Sequence, residues 1–247
     1  MLKVFDQNHK AVGALIRYND LQIVSDVTTG DKRMTFGISG KPDVHIDCEY
    51  YLQTRTDEFV VKKTADKKKG SYEAILNLEE LTGTPYEAFS ISNESLSNGI
   101  KIALEGTGWS LGICEVDDSD RRNAGMIDCD ALKVITNLCT VWMVEPEFDT
   151  LRKIVNIYIQ RGSDKGCYFA SGLNLIELER ESESYDFYTI LIPKGAEGLD
   201  ISSVNGGKNY LENFSYSQKR LAFVWKDESY TDAMALKTDG EKYLEEL

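Results

Sequence analysis

Histidine is scarce in this chain of 247 residues, which contains only His9 and His45. His9 lies in a polar turn and His45 precedes a predicted strand. A Ser-His-Asp triad or a Cys-His pair would need one of them, and neither position favours such a pair. Zinc-peptidase, nucleophile-elbow, P-loop and Rossmann motifs are also missing. The sequence therefore predicts no catalytic residue, no metal site, no cofactor and no enzymatic activity.

Cysteine offers no alternative chemistry. The chain has an odd number of cysteines, and no two of them have the Cys-x-x-Cys spacing of zinc and redox sites. We expect free thiols in a reducing compartment. The five residues are Cys48, Cys114, Cys129, Cys139 and Cys167.

Long apolar runs and positive charge are also lacking. No stretch approaches the roughly 20 apolar residues of a membrane helix, and the first residues do not form the apolar core of a signal peptide. Lys and Arg number 28 against 41 Asp and Glu, so the net charge is −13. This balance argues against tight binding to phosphate backbones. It is compatible with a surface that nucleic acid passes without sticking, or simply with solubility.

The N-terminal ninety residues show the two-residue period of antiparallel strands. Apolar residues alternate from Leu21 to Val27 and again from Met34 to Ile38, with a turn at Gly30, which predicts a long hairpin. Further strands are predicted at Cys48–Gln53 and Glu58–Lys63. The alternation indicates sheets with one wet face, as in a barrel or sandwich.

The period changes to about 3.6 near residue 92. One helix is predicted with Asn93 as its N-cap, and a second begins near Asp128. The second carries an inward stripe of Leu132, Ile135, Cys139 and Trp142. A polar loop at 117–123, a strand from Trp109 and a hairpin after Phe148 complete a small α+β unit.

The stretch Tyr168–Asn213 is again rich in β signals. Leu199–Val204 alternates, Asn205-Gly206-Gly207 forms a turn signal, and Asn209–Leu211 resumes the pattern, which predicts a hairpin. Residues 229–247 are predicted to start a C-terminal helix that leads into a region missing from this chain.

Two functional alternatives depend on polar and aromatic side chains. Paired carboxylates hydrolyse glycosides, and Glu177, Glu179, Glu181 and Glu183 form an acidic run, so a cell-wall hydrolase stays open. A solvated edge strand explains that run more simply. Tyrosine clusters keep a carbohydrate-binding module open as well, although such clusters also arise from cross-strand packing. The clusters lie at Tyr50-Tyr51, Tyr185–Tyr188 and Tyr210–Tyr216.

The order of these segments resembles the N-terminal region of phage minor structural proteins, also called prophage tail endopeptidase or tail-associated lysin proteins. The resemblance covers nearly the whole chain and is strongest from Ala170 to Asn213. We assign the matching residues a structural role. They are Asn174, Leu175, Thr189, Pro193, Gly195, Asn205, Gly206, Gly207 and Tyr210.

The resemblance implies a baseplate hub at the tail tip of a long-tailed phage. In that family, three subunits form a ring that caps the tail tube and lets DNA pass through. The implied partners are two further copies of the chain, the distal tail protein or tail tube, and the tape-measure protein, with DNA as a passing, non-specific ligand. The implied location is the virion tail tip, after synthesis in the bacterial host cytoplasm. Ile190 and Ile192 replace the Arg and the aromatic residue usual in the family, which puts one polar contact in doubt.

The predicted fold class is α+β and mainly β, with two small antiparallel β-barrel-like domains and an inserted α+β unit, as in tail hubs. We expect residues 1–91 and 183–228 to form the β-barrel-like scaffold and residues 92–182 to form the insertion. The chain would then re-enter its β scaffold after residue 183.

Overall fold

The computed structural model describes residues 1–39, 43–64, 69–162 and 187–246, together with residues 166, 168 and 170. The chain forms two compact units. The N-terminal unit contains residues 1–90, 96–118 and 125–160, and the C-terminal unit contains residues 91–95, 119–124 and 161–247. Mainly β structure with a minority of helix confirms the predicted fold class.

Seven strands of the N-terminal unit form one sheet with the order β2-β1-β5-β6-β7-β4-β3. All neighbouring strands in it are antiparallel. The strands are β1 (Leu2–Phe5), β2 (Ala11–Leu15), β3 (Asn19–Ser25), β4 (Lys32–Ser39), β5 (Tyr51–Gln53), β6 (Glu58–Lys63) and β7 (Lys69–Leu76).

The sheet curls because its two outermost strands are neighbours along the chain. Only residues 16–18 separate the end of β2 from the start of β3, so those ends lie at most about 14 Å apart. A flat sheet of seven strands would separate its edges by roughly 29 Å. β2 and β3 are nevertheless not paired. The sheet is therefore an open barrel whose gap lies between these two strands.

The predicted hairpin over residues 21–38 is confirmed as β3 and β4. Its turn contains Gly30, which has a φ of +72° and is buried. A Cβ atom there would lie 2.8 Å from the Pro146 carbonyl oxygen and 2.9 Å from the Phe148 ring. Only glycine combines this left-handed backbone with so close an approach.

Helices and a second sheet follow in the same unit. The new sheet has the order β11-β12-β9, with β9 parallel to β12. The elements are α1 (Glu79–Thr82), β8 (Pro85–Ser95), α2 (Leu96–Ala103), β9 (Ser110–Cys114), β10 (Arg121–Asp130), α3 (Ala131–Trp142), β11 (Glu145–Asp149) and β12 (Ile154–Tyr158).

Helix α3 packs against α2 and β11, and it buries the predicted stripe except for Leu132, which is half-buried. Ile135, Cys139 and Trp142 are buried, and Val134 and Leu138 widen the stripe. Burial raises the pKa of the Cys139 thiol to about 12, so this thiol is protonated and inert. The four described cysteines, Cys48, Cys114, Cys129 and Cys139, are all free thiols.

The α+β elements within residues 96–118 and 125–160 belong to the same compact unit as the curled sheet. Thr150 Oγ1 accepts a hydrogen bond of 2.7 Å from the backbone N–H of Glu58 in β6. The Lys153 ammonium pairs with Glu80 of α1, which also accepts a hydrogen bond from the Trp109 indole at 3.3 Å. The first contact joins the turn at Thr150 to the curled sheet, and the other two join Lys153 and Trp109 to α1.

Two strands were missed by sequence reasoning. β8 and β10 form a two-stranded sheet, and each strand passes from one unit to the other. β10 begins within the segment predicted to be a loop at 117–123. Asn93 is not an N-cap, because it lies inside β8 with a φ of +49°, three residues before α2 begins.

The C-terminal unit has its own three-stranded sheet, with the order β14-β13-β15. Its elements are β13 (Ile190–Lys194), a short 3-10 turn (Ala196–Gly198), β14 (Leu211–Glu212), β15 (Ala222–Lys226) and α4 (Ala233–Glu246). None of its strands pairs with a described strand of residues 1–91. The domain bounds that the sequence predicts stay a prediction. The curled sheet takes all its strands from residues 2–76. The helix predicted within 229–247 is present as α4.

Asp130 caps α3 and provides a test of the local structure. Its side chain accepts a hydrogen bond of 2.9 Å from the Lys133 backbone N–H. We expect Asp130→Ala to lower the free energy of unfolding by about 1 kcal/mol, whereas Asp130→Asn keeps the cap and costs much less. Urea unfolding followed by tryptophan fluorescence measures both. Equal losses in the two variants would contradict a capping role.

Candidate functional site

The C-terminal unit contains most of the residues that carry the family resemblance. Strand β13 lies at the centre of its sheet, antiparallel to β14 and parallel to β15. Helix α4 packs against β13 and β14. The core between them consists of Leu191, Ile201, Leu211, Tyr230, Leu236 and Leu244.

Thr189 ties the start of β13 to the segment that leads into β15. Its hydroxyl donates to the Lys219 carbonyl oxygen at 2.6 Å and accepts from the Leu221 backbone N–H at 3.0 Å. The side chain is 1% exposed. Thr189 therefore satisfies buried backbone groups, which is a structural role.

Pro193 and Gly195 both suit their places at the end of β13. Pro193 pairs only with β15, because β14 ends its pairing at Ile190 and Leu191. A proline, which lacks a backbone N–H, is tolerated on a strand side that has no partner. A Cβ atom on Gly195 would lie 2.8 Å from the Tyr230 carbonyl oxygen. This glycine is needed for close approach, not for its φ, which is −99°.

The turn at Asn205-Gly206-Gly207 is present, but the predicted hairpin around it is wrong. Leu199–Val204 forms bends and turns, and β14 pairs with β13. Asp200 accepts hydrogen bonds from the Ser202 backbone N–H at 2.9 Å and from its hydroxyl at 2.5 Å, which favours a turn. The Asn205 side chain donates to the carbonyl oxygens of Lys208 and Tyr210, at 3.2 and 2.9 Å.

The two glycines of this turn have φ values of +61° and +84°. The Tyr210 ring lies 5.5 Å from the Lys208 ammonium. Asn174 and Leu175 lie outside the described residues, as do Glu177, Glu179, Glu181 and Glu183. The acidic run on which the hydrolase alternative depends is therefore not tested by the structure.

A buried ionic cluster anchors α4 in this unit. The Arg122 guanidinium donates to Asp239 at 2.5 Å, to the Tyr230 hydroxyl at 3.0 Å and to Asp120 at 2.8 Å. The Tyr230 hydroxyl donates to Asp239 at 3.0 Å. Arg122, Tyr230 and Asp239 are 3%, 1% and 4% exposed, so the cluster is almost free of solvent.

The electrostatics of the cluster fix its protonation states. Burial opposes the charge of the Arg122 guanidinium, but the hydrogen bond to Asp120 and the negative charges nearby raise its pKa above the usual range. Burial raises the pKa of the Tyr230 hydroxyl. The Arg122 charge lowers this pKa and the Asp239 carboxylate raises it, but burial has the largest effect. Both groups stay protonated at neutral pH. They hold the fold together rather than exchange protons.

Further hydrogen bonds tie the short segments of β8 and β10 to this unit. The Asn123 backbone N–H donates to the Ser229 carbonyl oxygen at 2.9 Å, and the Arg121 side chain donates to the Asn93 carbonyl oxygen at 3.0 Å. The Asn93 N–H in turn donates to the Asn123 side chain at 2.8 Å. Residues 91–95 and 119–124 are thus integral to the C-terminal unit.

Sequence reasoning missed this cluster, although one signal was present. Asp239 lies three residues after Leu236 and four before Tyr243, on the apolar face of α4. A carboxylate on a buried helical face needs a cationic partner. Arg122 could not be identified as that partner from the sequence, because it lies 117 residues earlier, in a segment predicted to be a loop.

The arrangement offers structure rather than reaction chemistry. Among the described residues, no cluster of His, Cys, Asp and Glu has a metal-binding geometry. Several described rings of the tyrosine clusters pack against other rings, such as Tyr188 on Phe223 with centroids 4.9 Å apart and Tyr51 on His9 at 3.6 Å. Tyr216 lies edge-on to Phe187 with centroids 5.3 Å apart, but it is 78% exposed. No described helix is long and apolar enough to cross a membrane.

The buried pair between Arg122 and Asp239 predicts a large stability loss. We expect Asp239→Ala to destabilise the C-terminal unit by about 3 kcal/mol, because it leaves Arg122 buried with only part of its compensation. Hydrogen exchange of peptides from β13–β15, followed by mass spectrometry, measures this change. Lys242→Ala is the matched control, since Lys242 pairs with the same carboxylate from an exposed position and should cost under about 1 kcal/mol. Equal costs for the two variants would contradict the anchor.

Gly195 predicts a steric effect in the same unit. We expect Gly195→Ala to cost about 1–3 kcal/mol, because the new methyl group must displace the Tyr230 backbone. The same hydrogen-exchange measurement reports it. Gly125→Ala is the control, since its Cβ atom would meet only ordinary contacts of 3.6 Å. Protection of β13–β15 equal to that of the unsubstituted chain would show that the close approach does not matter.

Comparisons with known proteins agree with the sequence resemblance. Residues 163–247 match the family model described as prophage endopeptidase tail. No match was found among curated proteins.

Three solved structures share the fold over nearly the whole chain. Prophage tail protein gp18 from Listeria monocytogenes EGD-e is 15% identical with a TM-score of 0.61, over 96% of this chain and 76% of that one. The 43 kDa tail protein of prophage MuSo2 from Shewanella oneidensis is 13% identical with a TM-score of 0.59, over 99% and 77%. The tail protein from Neisseria meningitidis MC58 is 13% identical with a TM-score of 0.58, over 99% and 76%. The chain has the fold of prophage tail proteins, and its C-terminal third carries the sequence signature of the prophage endopeptidase tail family.

Proposed function

We propose that this chain is a structural hub protein at the tail tip of a long-tailed phage or prophage. Three copies form a ring that caps the tail tube and lets DNA through. The observation that carries this proposal is the extent of the fold likeness, which covers 96–99% of the chain in three tail proteins, two of them from prophages. The distal tail protein or tail tube and the tape-measure protein are the proposed partners.

The charge of the chain supports a passage for DNA rather than a binding site. A net charge of −13 repels the phosphate backbone, and tight non-specific binding would require clustered Lys and Arg. A channel wall that holds DNA would slow its ejection. An acidic ring therefore suits a conduit.

A structural role also fits the residues of the family signature. Thr189 and Gly195 serve the packing of β13, and Asn205 holds its turn through backbone carbonyl oxygens. These side chains are occupied by the fold. We therefore propose no catalytic role for the described part of the chain, although the family name contains the word endopeptidase.

The hub proposal is tested in phage particles made without the chain. We expect deletion of its gene from the encoding phage or prophage to abolish complete tails, and a plasmid copy to restore them. Quantitative mass spectrometry of restored particles should give about three copies per tail, which follows from ring symmetry. Hundreds of copies per particle, or complete tails without the chain, would contradict a hub.

An activity measurement on the same protein distinguishes the hydrolase alternative from the hub. Purified chain should leave peptidoglycan intact in a turbidity assay, while lysozyme clears the same preparation. Clearance by the chain, lost on substitution of Glu177, Glu179, Glu181 and Glu183 by Gln, would favour the hydrolase instead.

A further inference from the structure

We propose that copies of this chain join edge to edge, with β3 of one copy pairing with β15 of the next. This inference rests on the proposed ring and names the surfaces that build it. It follows from the exposure, charge and register of two strands that lie at the edges of their sheets.

Strand β3 is exposed along its whole length. Ile23 pairs with Met34, which is fully buried, so its side chain points to the core face of the sheet. Ile23 is nevertheless 45% exposed, and Val24 on the other face is 66% exposed. An edge strand with apolar side chains on both faces and an unpaired ladder is a template for another strand. The described residues supply none.

Strand β15 is the complementary edge in the C-terminal unit. Phe223 pairs with Leu191 of the buried core and is itself only partly buried. Val224, on the opposite face, is 57% exposed. Like β3, β15 has one neighbour among the described strands.

The charges that flank the two strands match in sign and spacing. Asp20 and Asp26 flank the apolar part of β3, and Arg220 and Lys226 flank that of β15. Each pair of charges is six residues apart along the sequence. With Ile23 opposite Phe223, Asp26 faces Arg220 if the strands are antiparallel and Lys226 if they are parallel, and Asp20 lies beyond the ladder toward the other basic residue. The same register places the two core faces on one side of a continuous sheet.

The charged groups remain accessible to such a partner. Arg220 is 63% exposed beside Glu212, and Lys226 is 66% exposed beside Glu228. Exposed pairs of this kind contribute about 0–1 kcal/mol, so they do not prevent a second contact. Asp20 has a φ of +53°, and the pairing of β3 is irregular before Gln22. The new ladder therefore begins at Gln22 and runs to Ser25.

A second copy fits these edges better than an unrelated partner, because both complementary edges belong to this chain. Pairing of β3 with itself is disfavoured, since an antiparallel pair centred on Ile23 would set Asp20 against Asp26. A contact between two different edges is heterologous, and such contacts close into rings when the rotation permits. This is the geometry that the proposed trimer needs.

Cross-linking in assembled particles tests this pairing directly. Ile23→Cys and Phe223→Cys are introduced together into the full chain, and purified particles are treated with a short bis-maleimide. We expect covalent dimers and trimers on reducing gels, because opposite side chains of paired strands lie about 5 Å apart. Each single variant is the matched control for links through native cysteines and should stay monomeric.

Two results separate failure of the pairing from failure of the hub. A double variant that stays monomeric in particles with the normal amount of chain would overturn the pairing and leave the hub proposal intact. Absence of the unsubstituted chain from particles would overturn both.

Exchange of the flanking charges provides a second test that needs no cysteine. Asp26→Lys and Lys226→Asp should each reduce incorporation into particles roughly tenfold, since a small loss repeats at three contacts. If the strands run parallel, Asp26 faces Lys226 and this double exchange should restore incorporation to within about twofold. If they run antiparallel, Asp26 faces Arg220, and Asp26→Lys with Arg220→Asp is the restoring pair. Glu87→Lys and Lys101→Asp change the same charges at exposed positions elsewhere and should have little effect. Both double exchanges being no better than their single ones would overturn the pairing.

Discussion

The link between β2 and β3 is the constraint on which the N-terminal unit depends. Three residues connect the two outermost strands of a seven-stranded sheet, so the sheet must curl until its edges approach each other. It does not close, since these strands do not pair. Curling explains how a core forms inside one sheet, with Val4, Leu52, Val60 and Ala74 fully buried. The missing closure explains why β3 keeps apolar residues in solvent.

The C-terminal unit depends on a buried charge that fixes its helix. Its described sheet has three strands, too few for a large core, and α4 supplies much of the rest. Arg122 fixes α4 by its contacts with Asp239 and Tyr230. A buried pair of this kind does not by itself stabilise a fold more than apolar packing would. We infer that its value lies in specificity, because the guanidinium needs Asp239 of α4 at hydrogen-bonding distance.

Local periodicity was sufficient to predict much of the fold. The β3–β4 hairpin, strand β6, helix α3 and the β11–β12 hairpin are each determined by residues close in sequence. β8 and β10 were missed because their sequences are largely polar and their partner lies beyond a helix and a strand. Leu199–Val204 alternates like a strand, yet Asp200 and Ser202 close a turn there. Grouping of the strands into sheets depends on contacts that no local pattern encodes.

The candidate site was predictable to a smaller degree. The family signature identified Thr189 and Gly195, whose structural roles become clear only from the atoms around them. The buried cluster of Arg122 was beyond sequence reasoning, because it joins residues 117 positions apart. Asp239 on the apolar face of α4 was the single local sign of it.

A cryo-electron microscopy reconstruction of the tail end tests the central claim most directly. The account predicts three copies of this chain in one ring around an open channel, with β3 of each copy continuing the sheet of β15 in its neighbour. A tail end without this chain, or a ring in which β3 stays exposed to solvent, would contradict it.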